Sequence, residues 1–211
     1  MGIEPLISVV EITAIVVSAV SGLIEAVRKR MDLFGIFAVA FTTAFGGGTV
    51  RDVLLDRRPL FWVQHHEYVW LVVALTVIAP LLLRVVRHRL AQQVLQATDA
   101  VGLGLFSISG ASLAQAAGMP LIVVLIMGII TGVFGGVMRD VLCNQIPVVF
   151  QDHYHYALCA LCGCLGYCAL CGAGVEPGPA LLIGAAIVTG LRLLVLACDW
   201  RVPRWPNVFK D

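Results

Sequence analysis

The chain contains the same charged motif twice, 88 residues apart. Residues 47–59 read GGTVRDVLLDRRP and residues 135–147 read GGVMRDVLCNQIP, so a glycine pair, an Arg-Asp pair and a proline recur at equal spacing. The same offset also aligns residues outside the motif: Ser21-Gly22 with Ser109-Gly110, Thr43 with Thr131, His65 with His153, Tyr68 with Tyr156 and Glu11 with Asp99. A single register over so long a stretch indicates an internal duplication.

The composition is that of a membrane protein. Of the 211 residues, 60% are hydrophobic and 13% are charged, about half the ~25% charge of a soluble domain. Apolar blocks of ~17–25 residues cross a bilayer as helices. We predict an all-α polytopic membrane protein, one membrane domain over 1–211, with seven transmembrane helices at about 6–27, 33–50, 68–86, 97–117, 121–138, 156–172 and 180–198. No basic stripe with interleaved aromatics indicates nucleic-acid binding.

The duplication predicts how these helices are arranged. The first repeat, 6–90, and the second repeat, 94–176, each hold three helices. An odd number makes the second copy enter the membrane from the opposite side, so we expect inverted repeats, whose site lies near the midplane where the repeats meet. The seventh helix, 180–198, stands outside the duplication and is expected to pack or to make oligomer contacts.

The distribution of Lys and Arg predicts the orientation. Of the 14 basic residues, ten fall on one side of the predicted membrane and three on the other, with Arg192 inside the seventh helix. The ten are Arg28, Lys29, Arg30, Arg84, Arg87, Arg89, Arg139, Arg201, Arg204 and Lys210, and the three are Arg51, Arg57 and Arg58. We therefore expect the N-terminus outside and the C-terminus in the cytoplasm.

Glycine runs are expected to interrupt the second helix of each repeat. They are Gly46-Gly47-Gly48 and Gly135-Gly136. A glycine destabilises a helix interior by ~1 kcal/mol relative to Ala, and carbonyls freed at such a break need partners in protein or water. Two matched breaks favour a pore or site lining, and close packing of helices through small residues is the alternative.

The Arg51-Asp52 and Arg139-Asp140 pairs follow these glycines by about one helical turn. Charges within a membrane usually pair or face water. Because neighbours in a helix point about 100° apart, pairing across the repeats, Arg51 with Asp140 and Arg139 with Asp52, is the geometric hypothesis. The two arginines are candidates for a gate, and capping or snorkelling at a helix end is the alternative.

Two further matched pairs are candidates for a pore or vestibule. Glu11 and Asp99 are acidic residues early in the first predicted helix of each repeat, where a carboxylate also suits a helix start. Thr43 and Thr131 lie one turn before the glycines and place hydroxyls near the expected path.

The cysteines and histidines do not predict a metal site or a cofactor. Five cysteines crowd 159–171, but one helix cannot fold four of them around a tetrahedral zinc. Cysteine there acts as a small hydrophobe. Neither a nucleophile paired with a base nor a phosphate-binding loop is recognisable, so we do not expect an enzyme.

The doubled G-G-x-x-R-D-V-L pattern with Pro eight residues after the Arg, the Ser-Gly pairs and the three-plus-three-plus-one plan resemble the prokaryotic trimeric intracellular cation (TRIC) channels. That family overlaps a bacterial inner-membrane family labelled a glycine transporter domain. The resemblance runs from about residue 6 to 200–203. It implies a homotrimer in the bacterial inner membrane, surrounded by lipid, with a K⁺-permeable pore in each protomer lined by the kinked second and fifth helices. The Lys-Glu-Val lipid-binding signature of the animal channels is replaced here by Gly-Thr-Val-Arg-Asp at 48–52.

Three functions remain open at this point. The leading expectation is a passive channel for K⁺ or another monovalent cation. Inverted repeats and broken helices equally fit a secondary transporter of a small amino acid such as glycine. The third is a scaffold in which the charged motif only packs the repeats together.

Overall fold

The fold is built of helices throughout the part of the chain that the computed structural model describes, residues 3–83, 88–151 and 155–198. These residues contain seven long helices, with a single helical turn, α3, before α4 and a 3-10 turn before α7. Their bounds are α1 Ile3–Arg28, α2 Leu33–Leu54, α3 Phe61–Gln64, α4 His66–Leu83, α5 His88–Ala116, α6 Leu121–Leu142, the 3-10 turn Val148–Phe150, α7 Tyr156–Gly172 and α8 Pro177–Ala197. The prediction of an all-α membrane protein is confirmed.

Five helices are long and apolar enough to cross a membrane, and α4 and α7 contain shorter apolar stretches. The five stretches are Val9–Arg28, Leu33–Leu54, Arg89–Ala116, Leu121–Leu142 and Pro177–Ala197. The largest difference from the predicted bounds is in α5, which begins at His88 rather than near residue 97. Asp99 therefore lies well inside a helix instead of opening one.

The glycine runs do not interrupt their helices. Residues 46–48 lie within α2 and residues 135–136 within α6, and each helix is a continuous α-helix from its first residue to its last. The expected break is wrong because ~1 kcal/mol per glycine is small against the hydrogen bonds a break would forfeit where lipid offers no replacement.

Both motif helices end in the same turn. Asp56 has φ 51° and Asn144 has φ 54°, and Asp and Asn are residue types that tolerate this left-handed conformation. The Arg57 N–H then donates to the Asp52 carbonyl and the Gln145 N–H to the Asp140 carbonyl, each at 2.8 Å. This wrapped end is a Schellman-type cap, and it fixes the direction in which the chain leaves the motif.

Two apolar clusters form the core. One, the first cluster, is built mainly from α1, α2 and α4, and the other, the second cluster, from α5, α6, α7 and α8. Each motif turn reaches across to the other repeat: Cys143 packs in the first cluster and Leu55 against the second. The helix outside the duplication, α8, packs against α5 and α7.

Candidate functional site

The two motif helices cross at their glycines. A β-carbon added at Gly47 would overlap the Thr131 carbonyl oxygen, and one added at Gly135 would overlap the Thr43 carbonyl oxygen. These two contacts are counterparts at the 88-residue offset. Only a missing side chain permits backbones to approach this closely, so the glycines bring α2 and α6 together at a reciprocal crossing.

Arg51 is held beside this crossing by three kinds of contact. Its Nε donates to Asp52 Oδ1 at 2.9 Å, and its Nη1 donates to Ser109 Oγ in the second repeat at 3.2 Å. Its guanidinium carbon lies 5.2 Å from the centre of the Phe61 ring. Arg51 and Asp52 are each only 1% exposed, so the side chain is fixed by its partners rather than by solvent.

Arg139 also contacts the next aspartate and a serine of the other repeat, and it makes one further contact. Its Nε donates to Asp140 Oδ1 at 2.9 Å, and its Nη1 donates to Ser21 Oγ in the first repeat. The same Nη1 also donates to Asp99 Oδ1 at 2.7 Å. Arg139 therefore faces two carboxylates, whereas Arg51 forms its buried ion pair with one.

The aspartates tie each arginine to the turn that follows it. Asp52 Oδ2 accepts a hydrogen bond from the Phe61 N–H at 2.8 Å, and Asp140 Oδ2 accepts one from the Val148 N–H at 3.0 Å. A buried charge is tolerated when it is paired and fully hydrogen-bonded. Each Arg-Asp pair thus depends on the loop that closes over it.

The predicted pairing of each arginine with the aspartate of the other repeat is wrong. Each arginine pairs with the next residue in its own helix, and a serine is its partner across the repeats. The 100° separation applies to the directions of the β-carbons, whereas the guanidinium lies several bonds further out and turns back to its neighbour. Both arginines lie in the last turn of their helices, as the helix-end alternative expects, but their side chains are buried.

A small polar cavity lies at the crossing. Its volume is about 10 Å³, near the ~10–15 Å³ that one water requires. Six of the predicted residues line it, namely Thr43, Gly47, Asp99, Thr131, Gly135 and Gly136. The threonine hydroxyls donate to backbone carbonyls four residues earlier in their own helices, both at 2.6 Å, so their oxygens keep lone pairs for the cavity.

A second cavity of about 10 Å³ lies beside the second motif. It is lined by Arg139 and Asp140, and it shares Gly136 and Tyr156 with the central cavity. A β-carbon at Gly136 would lie 3.4 Å from the Tyr156 hydroxyl and 3.6 Å from Asp99 Oδ1. Gly136 and Tyr156 therefore line both cavities, and Asp99 lines the central one.

Three other predicted residues do not line the central cavity, namely Gly46, Gly48 and Glu11. Gly46 is half-buried, with Phe134 as its nearest neighbour, and Gly48 is covered by the Phe61 ring. Glu11, the counterpart of Asp99, is half-buried in α1, and in the described part of the chain no ion pair joins it to Arg51. Glu11 and Asp99 match in charge, but the ion pair between Asp99 and Arg139 has no counterpart at Glu11 among the described residues.

Sequence reasoning missed two members of the site. Tyr156 was visible as the match of Tyr68 but was given no role. Arg192 was assigned only to the seventh helix, yet it is 3% exposed and its guanidinium carbon lies 4.5 Å from the centre of the Tyr156 ring. No repeat match exists for a residue outside the duplication, so only the packing of α8 against α5 and α7 reveals this contact.

The site contains carboxylates and arginines but has no metal-binding set. Among the residues that the structure describes, no group of three or more His, Cys, Asp and Glu side chains is placed to hold a metal ion. His153, one of the matched histidines, lies outside the described residues. The arrangement offers hydroxyl oxygens and a carboxylate around the central cavity, and Arg139 lines the neighbouring cavity.

Comparison with known proteins identifies the family. The family model described as "Glycine transporter" matches residues 8–84 and 96–171, and these ranges begin at the same offset as the motif. A UPF0126 membrane protein of Vibrio cholerae is 36% identical over 188 residues, covering 89% of this chain and 78% of the relative. The UPF0126 inner membrane protein YadS of Escherichia coli K12 is 33% identical over 193 residues, covering 92% of this chain and 93% of the relative.

Solved structures with this fold are cation channels. The TRIC trimeric intracellular cation channel orthologue from Rhodobacter sphaeroides aligns with a TM-score of 0.85 at 32% identity, over 91% of this chain and 97% of that one. A prokaryotic TRIC channel in 0.5 M KCl aligns with a TM-score of 0.88 at 28% identity, over 93% and 98%. Family and fold are those of a channel or membrane protein and not of an enzyme. The chain therefore belongs to the UPF0126 family of bacterial membrane proteins, described by its family model as a glycine transporter, and has the fold of the prokaryotic TRIC channels.

Proposed function

We propose that this protein is a K⁺-permeable cation channel, with one pore in each protomer of a homotrimer in the bacterial inner membrane. The observation that carries the proposal is the polar cavity where α2 and α6 cross, whose lining includes Asp99, the partner of the buried Arg139. The matched solved structures are of trimeric cation channels and support both the ion and the trimer.

The proposed architecture is two inverted repeats, 6–90 and 94–176, which with the helix at 180–198 make seven membrane spans. Its support is the reciprocity of the site: Gly47 meets Thr131 as Gly135 meets Thr43, and Arg51 reaches Ser109 as Arg139 reaches Ser21. Contacts that exchange in this way are the mark of a two-fold axis between equivalent units. In the membrane plane, such an axis turns one repeat upside down relative to the other.

The proposed path is closed in this conformation. The central cavity has room for about one water, so a hydrated ion does not pass. Opening requires α2 and α6 to separate at their glycines, where the missing side chains also allow the helices to bend. Threonine hydroxyls and the Asp99 carboxylate would then replace part of the water around a cation, as oxygen ligands do in selectivity filters.

Arg51 and Arg139 are the proposed gate. A fixed positive charge beside a narrow path repels cations, and the ion pairs with Asp52, Asp140 and Asp99 both hold and partly neutralise that charge. Displacement of a guanidinium towards its aspartate or away from the path would lower the barrier to a cation.

The orientation remains the one expected from the basic residues, with the N-terminus outside. The structure removes Arg51 and Arg139 from the loops because both are buried in helices. Nine basic residues then stand on the proposed cytoplasmic side against Arg57 and Arg58 on the other. Of the nine, Arg84, Arg87, Arg201, Arg204 and Lys210 lie outside the residues whose structure is described.

K⁺ efflux from liposomes that contain the purified protein tests this function. We expect efflux that needs no partner ion and is faster for Arg139→Gln, because the change removes a positive charge and keeps a hydrogen-bond donor. Arg57→Gln is the matched control, since the Arg57 side chain is 47% exposed and lies at the counterpart of Gln145, outside the path. Equal, protein-independent efflux from all liposomes would refute the proposal.

A glycine transporter is the second candidate function. The description of the matching family model favours it, and inverted repeats also serve alternating access. Labelled glycine uptake in the same liposomes separates the two. Saturable glycine uptake that close analogues inhibit, without K⁺ leak, would establish the carrier. The channel predicts K⁺ efflux without glycine uptake.

A further inference from the structure

The turn after α6 docks on the end of α1 through side chains that the duplication does not repeat. The Gln145 Nε2 donates to Glu25 Oε1 at 2.8 Å, so a residue of the second repeat contacts a carboxylate of the first. Arg28 Nη1 lies 3.0 Å from Glu25 Oε2 and donates to Gln92 Oε1, in α5, at 2.7 Å. Four residues thus make two contacts at the end of α1, one to the turn of the second repeat and one to α5.

Glu25 is the centre of this group. It is 5% exposed, and a buried carboxylate is costly unless charges and donors surround it. Arg28 and Gln145 supply these partners from opposite sides. Loss of either donor would leave the buried Glu25 carboxylate with too few partners, which costs free energy. Glu25 therefore favours the arrangement in which Gln145 stays hydrogen-bonded to it.

An apolar contact accompanies the polar one. Cys143, two residues before Gln145 in the same turn, is 2% exposed and belongs to the first cluster. Undocking of the turn would uncover its thiol, so the native chain contains its own reporter for this movement.

The docked turn is joined directly to the Arg139 site. The Cys143 N–H donates to the Arg139 carbonyl at 2.9 Å, and the Gln145 N–H donates to the Asp140 carbonyl at 2.8 Å. A turn bonded to both residues of the motif cannot move far without shifting the end of α6. Whatever holds the turn on α1 therefore also restrains the arginine.

The turn after α2 makes the apolar contact with the opposite repeat, but among the described residues it has no counterpart of the Gln145–Glu25 hydrogen bond. Leu55, the counterpart of Cys143, packs against the second cluster in the same way. The counterpart of Gln145 is Arg57, which lies 4.0 Å from Asp52 of its own helix, and the counterpart of Glu25 is Leu113. Only the second-repeat turn is fastened to the opposite repeat by a buried charge.

We propose that Glu25, Arg28 and Gln145 form a clasp that holds the turn 143–145 on α1 and keeps the Arg139 site closed. The clasp is a conformational device of one end of the protein, and the opposite end lacks it. Its effect on ion flux rests on the proposed channel function, whereas its effect on the turn does not.

Labelling of Cys143 tests the clasp. The other six cysteines are replaced by alanine, and the protein in liposomes is treated with a small membrane-permeant maleimide; the replaced residues are Cys159, Cys162, Cys164, Cys168, Cys171 and Cys198. We expect Gln145→Ala to raise the labelling rate about tenfold or more, the equilibrium shift that one hydrogen bond to a charged group represents. Arg57→Ala, the counterpart change, is expected to leave the rate unaltered.

Gln145 is exposed, so its substitution is compatible with folding. Glu25→Ala provides an independent variant, with helix content measured by circular dichroism for both. Equal labelling of wild type and Gln145→Ala overturns the clasp, as does an equal rise for Arg57→Ala.

K⁺ efflux from the same liposomes separates the clasp from the channel proposal. Faster labelling together with faster efflux supports both. Faster labelling in a protein whose wild type passes no K⁺ supports the clasp and counts against the channel. Faster labelling with unchanged efflux, in a wild type that conducts, overturns the link between the turn and the path.

Discussion

The Arg51 and Arg139 sites share one scaffold but differ in how firmly it holds the arginine. In both, Nε donates to the following aspartate at 2.9 Å and Nη1 donates to a serine of the other repeat. Only Arg139 gains a second carboxylate, Asp99, at 2.7 Å. Arg51 lies instead against the Phe61 ring. The duplicated residues build the scaffold, and residues that have diverged decide its strength.

This difference points to unequal mobility of the two arginines. Arg139 is held by two carboxylates and by a turn that the Glu25 clasp fastens to α1. Arg51 relies on a single carboxylate, and its turn lacks the clasp. In the proposed gate, Arg51 therefore moves at a lower free-energy cost than Arg139. Arg139 then sets the height of the barrier that a cation meets in the closed state.

Neutralising the neighbouring aspartate tests this inequality most strongly. Asp52→Asn removes the carboxylate from buried Arg51 and is expected to lower the unfolding free energy by about 3–5 kcal/mol. Asp140→Asn is expected to cost about 1–2 kcal/mol less, because Asp99 still faces Arg139. Denaturant titration in bicelles measures both. Equal losses would show that the second carboxylate contributes nothing.

The matched acidic residues of the first helices give a second contrast. Asp99→Asn is expected to destabilise the protein by about 1.5–3 kcal/mol, the range for a hydrogen bond to a charged group. Glu11→Gln, at the counterpart position, is expected to stay within about 0.5 kcal/mol. The same titration compares them, and a larger cost at Glu11 would contradict the assigned asymmetry.

Substitutions at the crossing should affect the two repeats alike. Gly47→Ala and Gly135→Ala each place a β-carbon on a carbonyl oxygen of the facing helix and are expected to cost about 1–3 kcal/mol by overpacking. Gly46→Ala is the control, since its β-carbon would meet neighbours at 3.7–3.9 Å, ordinary contact distances. Thermal unfolding in detergent ranks the three, and a Gly46 cost equal to the others would refute the close crossing.

The smallest expected effect concerns the aromatic side of Arg51. Phe61→Leu keeps an apolar side chain but removes the ring that lies 5.2 Å from the guanidinium, and a loss of about 1 kcal/mol is expected. Phe34→Leu serves as the control because Phe34 is 76% exposed. Equal melting temperatures for the two variants would mean that the ring does not stabilise the arginine.

The sequence was sufficient for an all-α membrane fold and for the duplicated motif, because apolar length and equal spacing are properties of the chain itself. It was insufficient for the partners of the arginines. The pairing of Arg51 with Asp52 depends on how a long side chain folds back, which the 100° spacing of β-carbons does not describe.

Two further differences have identifiable causes. The prediction started α5 late because 88–96 contains Arg89, Gln92, Gln93 and Gln96, which are polar yet favour helices. The α-helix therefore extends beyond the apolar stretch and carries Asp99 in its interior. Arg192 was overlooked because a duplication points only to residues that it contains.

K⁺ efflux from liposomes tests most directly whether cations cross each protomer between the two arginines, as we propose. Wild type, Arg51→Gln and Arg139→Gln are compared at one protein density, with Arg57→Gln as control. We expect efflux that needs no partner ion, is faster in both arginine variants than in the wild type, and is fastest for Arg139→Gln. Unchanged efflux in both, or glycine uptake in place of K⁺ efflux, would contradict it.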